Sequence, residues 1–368
     1  MSKDFLSAFI IGYSDSSFTN PHEVVLPNEA PDRAGSFSHM GASFSGFETR
    51  RHRASSINED DSSYHFDNDA YHWIRIGLHS LALVREVILS TKWFTGNQVP
   101  EVSITLFKGK LPAEVIPRTA LSPDSDHKFN FEPTEADECL VKCFHEGGIA
   151  RINLFGESLT TIQRNNLLEG AKISHVSNEH YGKPVDAVAG NREIDYMLGW
   201  ESARSGFGEQ ALFHLEQPSI IEEVVVDTYM HRLNSPLSCH IYGLAPNQKN
   251  SIDTLMEYRP QWSIGFSNGE SRQPANFQRY MLQKAFLNEP VPDPGSFTIR
   301  LVNNYPDIWH PLISFGRLFP DHYHRFTELQ FDRAISHLLY MHYPNGGVHG
   351  LKAFGLLQTD DEVGNPLI

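Results

Sequence analysis

The chain has 368 residues, 40% of them hydrophobic and 20% charged, with a formal net charge of −15. That length exceeds one ordinary core and suits two domains of roughly 150–200 residues each, and the composition is that of a folded globular protein. The negative balance argues against a chain that tracks nucleic acid or an anionic membrane, whereas a small anionic ligand stays open, because a local arginine pair outweighs a distant field screened over about 8–10 Å.

In chain order, Leu6 to Ile11 is apolar but short and follows Asp4, which reads as a first strand rather than a signal peptide or a membrane span. Ser55 to Asp69 is acidic and serine-rich and reads as a mobile loop. Strands are predicted at Ala8 to Ile11, Val84 to Ser90, Val102 to Phe107, Ile149 to Phe155, Ile220 to Asp227 and Phe297 to Val302. Each is a β-branched or aromatic run bounded by Gly, Pro, Asn or Asp. Ser158 to Leu168 reads as a short helix. Residues 245–310 hold an Asn-, Gln-, Ser- and Pro-rich stretch that reads as a structured insertion or long surface loops. With little other helical periodicity, the fold class is all-β, two β-sandwiches of the jelly-roll type. The expected boundaries are 1–157 for the first repeat, 158–171 for a linker and 172–368 for the second repeat with its insertion. Three cysteines and no CxxC predict reduced thiols and a cytoplasmic setting.

The two halves echo one another. Gly46-Phe47-Glu48-Thr49-Arg50-Arg51 returns as Gly199-Trp200-Glu201-Ser202-Ala203-Arg204, and Pro123-Asp124 to Phe129 returns as Pro320-Asp321 to Phe326. Gly147-Gly148-Ile149 returns as Gly346-Gly347-Val348. Three echoes in one order mean a duplicated module. Gly, aromatic and Glu survive in both copies, which suits a scaffold. The basic cluster, Tyr71-His72-Trp73 and Thr95-Gly96-Asn97 stand in the first copy only, which puts any site there.

These motifs carry a resemblance. Gly46 to Arg53, Tyr71-His72-Trp73, Trp93-Phe94-Thr95-Gly96-Asn97 and Ser14-Asp15-Ser16-Ser17-Phe18 in the first copy are similar to the allantoicase family. So are Gly199-Trp200-Glu201 and Tyr343-Pro344-Asn345-Gly346-Gly347 in the second. The second copy departs from the pattern, with Gly208-Glu209-Gln210 in place of Tyr-His-Trp and His231-Arg232-Leu233-Asn234 in place of the Phe-Thr-Gly-Asn segment. The resemblance implies two jelly rolls, a homo-oligomer in purine breakdown, and hydrolysis of allantoate to ureidoglycolate and urea. Another ureido or guanidino substrate, or a non-catalytic sugar-binding module, are the competing readings.

The chemistry of such a substrate names candidate residues. Arg50 or Arg51 would hold a carboxylate with a guanidinium fork, Arg51 and Arg53 sharing one face if the segment is a strand. Glu48 or His72 would serve as general acid/base, since a departing ureido group needs a proton. Asn97, Glu201 and His337 are further substrate contacts. Against each stands a structural role: a recurring turn for Glu48 and Glu201, a solvated strand for the arginines, a half-buried core histidine for His72. No cofactor is required by the sequence and a divalent metal stays open. His322 and His324, spaced i, i+2, make at most a partial site, with His310 or His337 as a third ligand.

Overall fold

A computed structural model describes residues 4–15, 18–159, 165–190, 192, 199–203, 208–272 and 297–357. The chain divides into two units, Met1–Gln163 and Arg164–Ile368.

In the first unit, two strands do most of the building. Tyr71–Ser90 and Asp126–Phe144 pair antiparallel along almost their whole length, with register breaks between Asn130 and Thr134 and between Ala136 and Glu138. Such breaks bend a strand, and here they let each long strand serve two layers. The halves Tyr71–Leu78 and Glu138–Phe144 join Ala8–Tyr13, Glu101–Lys108 and Leu111–Ala120 in a five-stranded sheet. The halves Ala82–Ser90 and Asp126–Ala136 join Arg151–Ser158 in a three-stranded one. Ile74, Ile76, Val141 and Ile104 from one layer and Val84, Val87, Leu89 and Leu154 from the other fill a single core. This is a jelly-roll-type sandwich.

The second unit repeats the plan. Glu209–Asp227 carries Lys172–Ser174 and Ile335–Tyr343 on its first half, and Tyr323–Phe326 and Gly350–Leu357 on its second. Ser238–Leu244 and Trp309–Arg317 complete the larger sheet, over a core that includes Trp200, Phe213, Ile241 and Tyr340. The duplication expected from the echoes is the architecture.

The insertion has a definite place. In the first unit the pair Lys108↔Leu111 closes over a two-residue turn. In the second, the corresponding pair Leu244↔Trp309 is separated by the helix Ile252–Glu257, the strands Gln261–Phe266 and Phe297–Val302, and the short Ser271–Arg272. Its described part is a packed layer: Leu255, Met256 and Trp262 cover Leu212, Tyr242, Leu339 and Met341 on the outer face of the large sheet. Ser238–Leu244 is consequently buried at every position, the pattern of a strand covered on both faces. Residues 273–296 of this stretch lie outside the described residues.

Two expectations need correcting or bounding. Ser55 to Asp69 is not a plain loop but an exposed hairpin, Ser55–Asn58 against Ser63–Phe66. Part of the helix expected at Ser158 to Leu168 falls on residues 160–164, outside the described ones, while Ser158 ends a strand. Among the described residues no helix is long and apolar enough to cross a membrane.

Candidate functional site

Phe47–Glu48 and Gly148–Ile149 form a two-residue antiparallel ladder that lashes the start of one loop to the end of another. Phe47 is wholly buried and anchors the turn, a side chain whose burial stabilises by about 1.5–3 kcal/mol. Glu48 N–H donates to Thr19 Oγ1 (2.8 Å), and the Asn97 amide donates to Glu48 Oε1 (2.8 Å). Gly148 N–H donates to the Asn97 carbonyl (2.7 Å), so one short turn positions both members of the Glu48–Asn97 pair. Burial raises the Glu48 pKa above the ordinary carboxylate value, with Asn97 and the charge of Arg51 pulling the other way. A carboxyl so placed holds a proton closer to neutrality than a free one and so has it in hand for a leaving group.

His72 lies on the inward face of Tyr71–Ser90 with Ile74 and Ile76, between the half-exposed Tyr71 and Trp73, as strand alternation requires. Ser14 Oγ stands 3.0 Å from His72 Nδ1 and accepts Trp73 N–H (2.9 Å). Among the described residues His72 Nε2 is buried without a partner at hydrogen-bond geometry. Burial, and then the charge of Arg53, lower the His72 pKa, so the ring is neutral near pH 7.

Asp15, the neighbour of Ser14, is buried and binds Arg50 twice, accepting its backbone N–H (3.0 Å) and its Nε (2.8 Å). The Arg50 guanidinium, 68% exposed, keeps its far edge toward solvent. The arginines do not sit on a strand: Phe47–Glu48 ends before them and His52 has φ of 69°, which breaks the alternation expected to put Arg51 and Arg53 on one face. Their charges instead fall on different partners, Arg51 on Glu48 and Arg53 on His72. The first unit therefore gathers Glu48, Asn97, Arg50, Arg51 and His72.

A family model described as the allantoicase repeat matches residues 1–159 and again 165–358. The chain belongs to the allantoicase family. It is 24% identical to a probable allantoicase of Pseudomonas paraeruginosa over 95% of this chain and 93% of that protein. It is 26% identical to the allantoicase of Saccharomyces cerevisiae over 68% of this chain and 77% of that one. The crystal structure of the Saccharomyces cerevisiae allantoicase is also similar, at 20% identity over 95% of this chain and 90% of that one, with a TM-score of 0.33.

The second allantoicase repeat rebuilds the same turn with other side chains. Trp200–Glu201 pairs with Gly347–Val348, and the Asn234 amide donates to Glu201 Oε1 at the same 2.8 Å. The Asn thus survives in both repeats, although the three residues before it differ, Phe94-Thr95-Gly96 against His231-Arg232-Leu233. Ser177 answers to Ser14, donating to Glu209 and accepting Gln210 N–H, so Glu209 stands where His72 does. It is fully buried, and burial pushes its pKa up to about 7 against the hydrogen bonds of Ser177 and Ser202. Asn178 answers to Asp15 and holds Ala203 N–H (3.1 Å) where Arg50 was. Arg204 lies outside the described residues. Glu209 and Asn234 were visible in the sequence only as departures from the allantoicase pattern; the signal that could have found them is the Ser-Asp/Ser-Asn pair upstream.

The remaining candidates fall elsewhere. His337 is six residues before Tyr343 on Ile335–Tyr343, roughly 20 Å along the strand, stacked on His214 (4.2 Å) and beside Ser336 Oγ. The fold does not bring it to Glu201. His322 and His324 do lie side by side (ring centroids 5.9 Å), but both ring nitrogens of His324 are engaged, with Val226 O and Phe319 N–H. The one lone pair of the neutral His324 ring, on Nε2, is thus taken by Phe319 N–H, and no group of three metal-ligating side chains forms among the described residues. His310 stacks on Phe331 instead.

Proposed function

We propose that this chain hydrolyses allantoate to ureidoglycolate and urea, with the first repeat as the catalytic one. The Arg50 guanidinium, aligned by Asp15, takes the substrate carboxylate, and Arg51 adds positive charge beside it. Glu48, in its protonated form, gives its proton to the ureido nitrogen as the carbon–nitrogen bond breaks. Neutral His72 takes a proton from the water whose oxygen bonds to the same carbon. The carbon exchanges nitrogen for hydroxyl, and urea leaves neutral. The observation that carries the reading is the half-buried Glu48, held by Asn97 through one oxygen only, next to an exposed arginine pair in a chain of this family. Three buried, unpaired cysteines are in keeping with a reducing cytosol, and we assign the chain to it as a homo-oligomer.

The test is release of urea from allantoate by the purified chain, with Glu48→Gln alongside. The expected result is turnover in the wild type and a loss of about 10²–10⁴ in kcat for E48Q, the range for a general acid. No urea above blank from the wild type, with or without added Mn²⁺, would overturn the allantoate assignment. Wild-type turnover by E48Q would overturn the role of Glu48.

A further inference from the structure

The second repeat holds more than a worn copy. Phe94 in the first repeat and His231 in the second occupy one position: each backbone N–H bonds a threonine carbonyl, Thr91 or Thr228 (3.0 and 2.9 Å). Each follows a residue of positive φ, Trp93 (72°) or Met230 (64°). Each ring packs against the closing glycine, so that a Cβ on Gly148 or Gly347 would stand 2.0 or 2.1 Å from it. An inert ring in one repeat is thus an imidazole in the other. His231 packs on Gly347, which pairs with Glu201 and donates its N–H to the Asn234 carbonyl, and the Asn234 amide donates to Glu201 Oε1. Around this one turn stand a carboxylate, an amide and an imidazole, all half-buried, where the first repeat has only the carboxylate and the amide.

The turn leaves particular valences open. Among the described residues Glu201 accepts a hydrogen bond through one oxygen, so the other is available to an N–H. The second N–H of the Asn234 amide offers a donor toward a carbonyl. Among the described residues the counterpart of the Arg50 cation is missing, because Ala203 stands at that position and presents its backbone N–H to Asn178. Arg232, the nearest described guanidinium along the chain, is drawn to the buried Asp321 (3.4 Å). A ligand that supplies paired N–H donors and a carbonyl without a negative charge fits these groups: a neutral urea or carboxamide.

We infer that the second repeat is a separate binding site for neutral ureido compounds, built on Glu201, Asn234 and His231. It is distinct in residues and in charge preference from the Glu48 site, and it does not depend on the catalytic role given to Glu48. The experiment is titration calorimetry and ligand-observed NMR on the full chain with two probes, neutral N-ethylurea and anionic ureidoacetate. Three variants accompany the wild type: Glu201→Gln, which keeps the shape and the bond from Asn234 but removes the open acceptor; His231→Phe, which copies Phe94; and Glu48→Gln. The expected outcome is that E201Q and H231F each weaken N-ethylurea at least tenfold while ureidoacetate changes less than threefold, and that E48Q leaves N-ethylurea bound. Thermal unfolding of each variant checks that it folds, and H231F carries the test alone if E201Q does not. The inference is overturned if the wild type does not bind N-ethylurea, if both second-repeat variants bind it as the wild type does, or if E48Q is the variant that abolishes it.

Discussion

Gly148→Ala puts one methyl group into the turn that sets the Glu48–Asn97 pair. The new carbon would stand 2.0, 2.3 and 2.5 Å from three atoms of the Phe94 ring, distances no carbon pair sustains. Phe94 has nowhere to retreat: it is wholly buried, stacked on Phe44 (4.7 Å) and packed with Ala30 and Ala150. Overpacking of this kind costs about 1–3 kcal/mol, or a fall in Tm of about 2–4 °C per kcal/mol for a unit of this size. Relief by moving the strand is worse for function, because Gly148 is paired with Glu48 and bonded to the Asn97 carbonyl. A displacement of about 1 Å at reacting groups costs on the order of 10²-fold in rate. Calorimetric unfolding and urea release from allantoate are the assays, with the double variant Gly148→Ala/Phe94→Leu as the internal check. Shortening the ring should return part of the lost stability, since contacting residues are not additive. A G148A protein with wild-type Tm and rate, or a double variant whose losses simply add, would refute the reasoning.

Three further outcomes follow from the charges and their burial. Arg50→Ala should raise KM for allantoate about 10- to 100-fold through loss of a charged hydrogen bond, with kcat held within threefold. Its stability should move by no more than about 1 kcal/mol, because the side chain is 68% exposed; a kcat effect without a KM effect would move Arg50 out of carboxylate binding. Glu209 has a folded pKa raised to about 7, so its contribution is full below the unfolded value and lost as pH rises through 7. Glu209→Gln should therefore stabilise on the order of 3 kcal/mol above pH 8 and change little near pH 4, and guanidinium unfolding at the two pH values should show unequal shifts. His342 works in the opposite sense. Its pKa is lowered to about 3 by burial, so the unfolded chain binds the proton first and stability falls as pH drops below about 6.5, by about 2 kcal/mol at pH 5. His342→Cys, the residue the first repeat carries as Cys143 beside His72, should flatten that acid limb; an unchanged slope counts against it.

Much of the fold was legible because strands announce themselves locally. Val102 to Phe107 and Phe297 to Val302 are β-branched runs between turn residues, and they lie within or coincide with the observed strands Glu101–Lys108 and Phe297–Val302. That His72 faces away from Tyr71 and Trp73 followed from alternation; that its side is the buried one came from the structure. Alternation misled at Arg51 and Arg53, because a positive φ at His52 is a property of the loop's closure and not of the residue type. The insertion showed itself as excess length, but its described part covers the sheet face with Trp262 and Leu255, which a composition of Asn, Gln and Ser does not disclose.

The site divides along the same line. Residue types and their order were enough to name Glu48, Asn97, Arg50 and His72, since their chemistry is carried by each side chain wherever it stands. That Asn97 holds Glu48, that Asp15 aligns Arg50 and Ser14 faces His72 are facts of pairing between residues 35 to 58 positions apart. So is the persistence of Glu201–Asn234 inside a segment whose sequence no longer matches its copy. Sequence alone determined that a module was doubled and which chemical groups it carries. Only tertiary structure decided their partners, burial and protonation, because those depend on what the fold packs beside each group and how much water it removes.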